Sequence, residues 1–234
     1  MPIALEDGYF QTHDLAHVSC LGIESVRLDT CVAQVRSKHI RGVFGHPSFG
    51  FTGTDLDFLS EVPWLEAVWF WDVTLKSIDG LYAIPALQHF GVHPRRPPID
   101  FSRFRHLRKA MIEPKIGDRG LGSLSELRHL YIWHYRPKQK NFSSLEFPDF
   151  LTELEISWAN PTSLESLPVL PRLRRLEIHR CRNLELLGDL GTKFPCLEHL
   201  VVAACGRIRA GEGERVVRDL PKLQHAYIRD AKLV

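Results

Sequence analysis

The stretch LRRLEIHRC, from Leu173 to Cys181, has a regular spacing of apolar residues. Leu176 follows three residues after Leu173, Ile178 follows two residues later, and Cys181 closes the run. Because side chains of a β-strand alternate between two faces, residues two apart share a face. The spacing therefore predicts a short strand whose aliphatic side chains point into a core.

The same spacing recurs along the whole chain. From Leu65 onward, successive segments begin 20 to 26 residues apart, and the second segment has Gly45 in place of its third apolar residue. Self-similarity at such a period is the signature of a repeat architecture. The ten segments have their apolar residues at Ile23/Val26/Leu28, Ile40/Val43/Gly45, Leu65/Val68/Phe70, Leu87/Phe90/Val92, Leu107/Ala110/Ile112, Leu127/Leu130/Ile132, Leu151/Leu154/Ile156, Leu173/Leu176/Ile178, Leu197/Leu200/Val202 and Leu223/Ala226/Ile228.

Proline marks the start of many of these segments. Since proline lacks an N–H donor and restrains the residue before it, it resists a helix that would continue into the strand. Each repeat is therefore predicted to be irregular or short helical backbone followed by a strand. The Pro-marked starts are Val62-Pro63, Ile84-Pro85, Leu170-Pro171, Phe194-Pro195 and Leu220-Pro221.

The spacing L-x-x-L-x-L-x-x-N/C resembles that of the leucine-rich repeat family over essentially the whole chain. The resemblance implies an α/β solenoid, a horseshoe of about 8–10 repeats with a parallel concave sheet and an irregular or short-helical convex side. We expect a single domain over residues 1–234, with residues 1–22 as an N-terminal cap and 23–234 as repeats. Asp7-Gly8 predicts the turn of a capping hairpin, whereas no cap is predicted after the last strand.

Cysteine placement and the N-terminal sequence bear on the compartment. Cys31, Cys181 and Cys205 occupy the ninth repeat position, and Cys20 precedes the first predicted strand. No CxxC pair occurs, so we expect buried, reduced, structural thiols. The N-terminus has no basic start and meets acidic residues early, and no apolar run approaches the roughly 18 residues of a membrane span. The sequence thus predicts a cytoplasmic protein.

Strand alternation places the third, fifth and seventh repeat positions on the concave face. These positions hold large aromatic residues, which often mark contact surfaces, beside a group of glutamates. An alternative is that the aromatic side chains form a second small core under a long loop. The predicted partner-binding residues are Trp69, Trp71, His89, His93, Met111, His129, Tyr131, Trp133, Glu153, Glu155, Arg175, Glu177 and His179.

Catalytic motifs are missing from the sequence: HExxH, GxSxG, a P-loop and GxGxxG do not occur. Several histidines lie near carboxylates, but a flat sheet lacks a pocket that excludes water. We therefore expect that the protein is not an enzyme and that it binds no cofactor and no metal. The resemblance implies a non-catalytic module that binds another protein on its concave face. One specific form is a cytoplasmic inhibitor or immunity protein that neutralises a toxin or effector, with its acidic surface in the basic cleft of the target.

The charge distribution leaves two alternatives open. Residues 1–94 hold five Lys/Arg against eleven Asp/Glu, whereas residues 95–140 hold twelve against four. The basic belt 95–140 is either a solvated face or a surface that attracts nucleic acid or an acidic partner. The last strand edge suggests a self-assembling structural protein as the other alternative. We expect a monomer or homodimer and no membrane partner.

Overall fold

A computed structural model describes residues 3–13, 18–92, 95–229 and 231–234. Within these ranges the chain forms thirteen β-strands, three short α-helices and several 3₁₀ turns. It divides into two compact units, Met1–Arg119 and Gly120–Val234. The predicted single domain over residues 1–234 stays a prediction.

The first unit contains seven strands that are neighbours in chain order. Strands β3 to β7 pair in parallel, whereas β1, β2 and β3 pair antiparallel. The ten-residue helix α1 (Leu28–Ser37) follows β3. The strands are β1 (Ala4–Glu6), β2 (Tyr9–Thr12), β3 (Cys20–Gly22), β4 (Gly42–Gly45), β5 (Ala67–Phe70), β6 (His89–Val92) and β7 (Lys109–Ile112).

The second unit repeats the same plan with longer strands. Strands β8 to β12 pair in parallel and in chain order, and β13 pairs antiparallel with β12. The helices α2 (Leu190–Lys193) and α3 (Glu212–Asp219) lie in the connections. The strands are β8 (His129–Trp133), β9 (Glu153–Ser157), β10 (Arg175–His179), β11 (His199–Ala203), β12 (His225–Ile228) and β13 (Ala231–Lys232).

The predicted register is confirmed from the second repeat onward. Leu176 pairs with Leu154 on one side and Leu200 on the other, and all three are buried. The next apolar position pairs in the same way, through Ile156, Ile178 and Val202. Each unit is therefore a leucine-rich repeat solenoid, in which aliphatic columns fill the space behind a parallel sheet.

The first predicted repeat is wrong in its register. The strand β3 ends before Ile23, and Val26 lies 90% exposed in a 3₁₀ turn, Ser25–Arg27. Leu28, predicted to be the last apolar position of the strand, instead begins α1. The parallel sheet thus starts three residues before the predicted boundary at residue 23.

The first repeat differs from the prediction because the apolar residues that follow β3 have the spacing of a helix. In α1 the buried residues are Cys31, Val32 and Val35, and an i, i+1, i+4 spacing forms one face of a helix rather than of a strand. Cys31 is therefore a helix residue, not a ninth-position residue. Cys20, predicted to precede the strand, lies in it and pairs with Gly42.

Antiparallel strands cover the first parallel strand of the first unit, β3, and the last parallel strand of the second unit, β12. Asp7 and Gly8 have φ of 52° and 78° and join β1 to β2, so the predicted N-terminal hairpin is confirmed. The prediction of an uncapped last strand is wrong, because Tyr227 pairs with Lys232 in β13. These few terminal residues have no recognisable strand pattern of their own, which is why the sequence does not reveal the cap.

Gly45 fills an apolar repeat position for a steric reason. A Cβ built on Gly45 would lie 2.3 Å from the ring of Phe70 and 2.9 Å from the ring of Phe51. Both rings are buried and contact each other, with centroids 4.7 Å apart. The two phenylalanines therefore supply the core volume that the glycine lacks.

Among the described residues, no helix combines the length and apolar character needed to cross a lipid bilayer.

We expect Gly45→Ala to destabilise the protein by about 1–3 kcal/mol, because the added methyl group overpacks the Phe51–Phe70 pair. Gly206→Ala is the control, since a Cβ at Gly206 meets nothing within 4 Å. Urea unfolding measures both variants. Equal unfolding midpoints for the two variants would contradict this account of Gly45.

Candidate functional site

The concave positions stack into the predicted columns within each unit. In the second unit, Tyr131 pairs with Glu155, and Glu155 pairs with Glu177. In the first unit, Phe44 pairs with Trp69 in the same fifth repeat position. From the second repeat onward, the strand pairing therefore places these repeat positions in columns as the sequence predicts, whereas the first predicted repeat does not contribute to them.

Trp69 is buried, whereas the sequence predicts that it is exposed on the concave face. It faces the concave side but is only 4% exposed, in a cluster with Cys20, Phe44 and Ala67. The indole also lies over Gly91, where a Cβ would come within 2.3 Å of it. Trp69 is thus a core residue and not an exposed anchor.

The N-terminal hairpin and a neighbouring loop cover this cluster. Phe10 of β2 and Phe49 of the 3₁₀ turn after β4 pack against it, with their ring centroids 5.2 Å apart. Trp71 and Met111 are half-buried at its edge. The alternative prediction of a second small core describes this part of the first unit better than the prediction of a free aromatic surface.

Of the other predicted residues in the first unit, His89 is half-buried in β6. His93 lies outside the described residues. The remaining eight predicted residues lie together on three adjacent strands of the second unit, β8, β9 and β10. They are His129, Tyr131, Trp133, Glu153, Glu155, Arg175, Glu177 and His179.

An open depression of about 180 Å³ lies on these three strands. Its charged lining contains three carboxylates and one guanidinium, and the phenol of Tyr131 lies at its side. The residues that line it are Tyr131, Glu153, Leu154, Glu155, Arg175 and Glu177. The depression therefore has an acidic character that suits a cationic group.

Glu177 has polar contacts with two neighbours on its own strand, Arg175 and His179. Arg175 Nε donates to Glu177 Oε1 at 2.6 Å, and His179 Nε2 lies 2.8 Å from Glu177 Oε2. Burial raises the pKa of Glu177, but the hydrogen bonds from His179 and Arg175 outweigh it and leave the pKa below its usual value. Glu177 is therefore ionised at neutral pH.

The other two glutamates have polar neighbours in register. His129 Nδ1 lies 3.1 Å from Glu153 Oε2, and Ser157 Oγ donates to Glu155 Oε1 at 3.1 Å. Burial, followed by the charges of the three nearby glutamates, raises the pKa of Tyr131. Tyr131 therefore stays a neutral phenol that can donate a hydrogen bond.

Tryptophans extend this site beyond the strand ends. Trp133 meets Trp158 edge-on, with centroids 5.7 Å apart at 80°. His134 stacks on the indole of Trp158 at 5.2 Å and 12°. Sequence reasoning missed Trp158 and His134, because they occupy the eighth repeat position, just after the strand. The signal that could have found them is the recurrence of aromatic residues at this position in adjacent repeats.

The thiols have the predicted structural role in the second unit. Cys181 Sγ and Cys205 Sγ each lie 3.8 Å from a backbone oxygen of the preceding repeat, at Ile156 and Ile178. All five cysteines are free, and burial raises the pKa of Cys20 to about 12. Within the described ranges, no group of three or more His, Cys, Asp or Glu side chains is arranged to hold a metal ion.

Each unit has the fold of a leucine-rich repeat solenoid, and the second unit carries an acidic and aromatic concave surface. No family model matches this chain. No curated protein matches it either. Solved structures similar to it include an internalin from Listeria monocytogenes, which is 13% identical with a TM-score of 0.40, over 89% of this chain and 80% of that one. The assignment of the fold rests on the strand order and register of the chain itself.

We expect Glu177→Gln to lower stability at pH 7 by about 1 kcal/mol, as for a partly exposed charge-assisted pair. Because the folded pKa of Glu177 is lowered, its contribution is present above the unfolded pKa of about 4.3 and is lost as the pH falls through the folded value. The difference from wild type should therefore shrink between pH 7 and acid.

Urea unfolding midpoints across this pH range provide the measurement. Glu165→Gln is the control, since Glu165 is exposed and its carboxylate has no ion pair within the described part of the chain. A stability loss for Glu177→Gln that does not change with pH would contradict the assigned ion pairs.

Proposed function

We propose that this protein is a non-catalytic module that binds another protein on the concave face of its second unit. The observation that carries the proposal is the acidic depression on β8, β9 and β10, with Tyr131 and Trp133 beside it. Tyrosine and tryptophan supply much of the binding energy in protein interfaces, and carboxylates supply specificity for basic groups.

The partner that fits best presents a lysine or arginine next to an apolar side chain. The cation would enter between Glu153, Glu155 and Glu177, while the apolar group would contact Tyr131 and Trp133. Arg175 does not neutralise the depression, because among the described residues the carboxylate that it pairs with is Glu177 and not Glu153 or Glu155. Three carboxylates against one guanidinium leave a net negative charge.

A specific form of this proposal is a cytoplasmic inhibitor or immunity protein that neutralises a toxin or effector. An acidic surface with aromatic anchors suits the basic substrate cleft of such a target. This form depends on analogy with small inhibitors, and the gene next to the one encoding this chain is the first place to look for the partner.

The two alternatives receive less support from the structure. In the belt 95–140, Arg96 is buried and pairs with Asp118 at 2.8 Å, and Arg119 pairs with Asp100 at 2.8 Å. Part of the positive charge is therefore neutralised within the first unit. Self-assembly through an open last edge is disfavoured, because β13 covers part of the edge of β12.

We expect Trp133→Ala to weaken binding to the neighbouring-gene product by about 2 kcal/mol, or roughly thirtyfold in Kd. Calorimetry with the two purified proteins measures this, and growth rescue on co-expression tests the inhibitor role. Trp64→Ala is the control, because Trp64 stacks on His39 in the first unit and does not line the acidic depression. Equal loss from both variants would place the interface elsewhere.

The charge requirement has a test that does not need the partner. A fluorescein-labelled peptide of alternating Lys and Tyr should bind the wild type at low salt, and Glu155→Lys should weaken it by about tenfold. The matched change Glu165→Lys alters the net charge equally on an exposed connection. If both variants bind the peptide equally, the depression is not the cation site.

A further inference from the structure

The loops that follow β8, β10 and β11 carry a second charged surface, opposite in sign to the depression. They begin where the strands end, so parallel pairing brings them to the same rim of the sheet. We call this surface the basic rim. Its residues are Arg136, Lys138, Arg180, Arg182 and Arg207, and the segments 134–140, 158–161, 180–182 and 204–209 contain no Asp or Glu.

The charges of the basic rim are available for binding. All five side chains are exposed. Within the described ranges, the side chains of Arg136, Arg182 and Arg207 form no ion pair or hydrogen bond. This contrasts with Arg96 and Arg119 of the first unit, whose charges are satisfied by aspartates. Among the described residues, no carboxylate therefore neutralises Arg136, Arg182 or Arg207, although Arg209 in the last of these loops pairs with Glu185 at 3.4 Å.

Three side chains in contact, His134, Trp158 and Arg180, lie on the basic rim, and we call them the Trp158 ladder. His134 lies flat against Trp158, and the guanidinium of Arg180 lies 5.3 Å from the centroid of the same indole ring. Both groups thus contact the indole of Trp158, and the cation–π contact restrains Arg180 at the rim. An arginine held in this way loses less conformational freedom when it binds a carboxylate.

The backbone at these positions makes the choice of side chains informative. His134, Trp158 and Arg180 have φ of 50°, 54° and 56°. This left-handed conformation closes the turn after each strand, and glycine or asparagine would adopt it most readily. The turn alone does not require a large ring or a guanidinium, so their presence points to a use for the side chains themselves.

The spacing between the two charged surfaces favours a protein ligand over nucleic acid. Arg180 follows Glu177 by three residues, which is about 10 Å along a strand. That distance is about one Debye length, so a continuous phosphate backbone on the rim would also feel the repulsion of the glutamates. A polypeptide can present acidic and basic side chains at this separation.

We propose that the basic rim binds an acidic segment, rich in Asp and Glu, of the protein partner whose basic group enters the depression. This inference rests on the proposed function in taking the ligand to be a protein, and it adds a second contact of opposite charge. Bidentate pairing of Arg180 and Arg182 with carboxylates is the main interaction, and Arg136 and Arg207 extend it to either side.

The test uses a fluorescein-labelled peptide of alternating Asp and Ser, with a labelled oligothymidylate of the same length as the competitor class. Fluorescence anisotropy at low salt measures both affinities. Arg180→Gln with Arg182→Gln should weaken the acidic peptide by about tenfold. The control is Arg172→Gln with Arg174→Gln, which removes the same charge at the other end of β10 and changes affinity by less than about twofold.

The possible results distinguish a failure of the basic rim from a failure of the acidic depression. Equal effects of the two double variants, or no binding of the acidic peptide, would overturn the inference. Tighter binding of the oligothymidylate, lost in the Arg180/Arg182 variant, would overturn it in favour of nucleic acid. Circular dichroism checks that each variant folds. If the Lys–Tyr peptide still binds while the acidic peptide does not, only the basic rim is refuted and the acidic depression stands.

Discussion

Residue-by-residue pairing between parallel strands is the constraint on which everything else in this protein depends. Because Leu154, Leu176 and Leu200 pair in register, each repeat position becomes a column across the sheet. One set of columns is aliphatic and buried, and the alternate set faces the concave side. A slip of one residue would exchange the two sets, so the hydrophobic core and the acidic surface are specified by the same register.

The two units use the concave face in different ways. In the first unit, aromatic side chains on this face are covered by the N-terminal hairpin and Phe49, so they act as a core. In the second unit, the corresponding positions of β8, β9 and β10 carry charged and half-buried side chains around an open depression. The same repeat geometry therefore forms a covered aromatic core in the first unit and an open, charged depression in the second.

Charge in the second unit is ordered along the strands. Glu153, Glu155 and Glu177 lie within the sheet, and the cations of the basic rim follow the strand ends. The pairing of Glu177 with Arg175 and His179 holds one carboxylate in place without neutralising the other two. A partner with one sign of charge would meet attraction and repulsion within about one Debye length, whereas a partner with both signs would be attracted throughout.

Local spacing determined most of the fold. The strand register from Gly42 onward, the hairpin turn at Asp7-Gly8 and the buried positions of Cys181 and Cys205 follow from patterns within about ten residues, because strand period and turn chemistry are local properties. Only the tertiary structure decided that Trp69 is buried and that the C-terminal residues close the last edge. Both outcomes depend on contacts with segments distant in sequence, which no spacing rule describes. The same holds for the Trp158 ladder and the depression, since they form only when adjacent repeats stack.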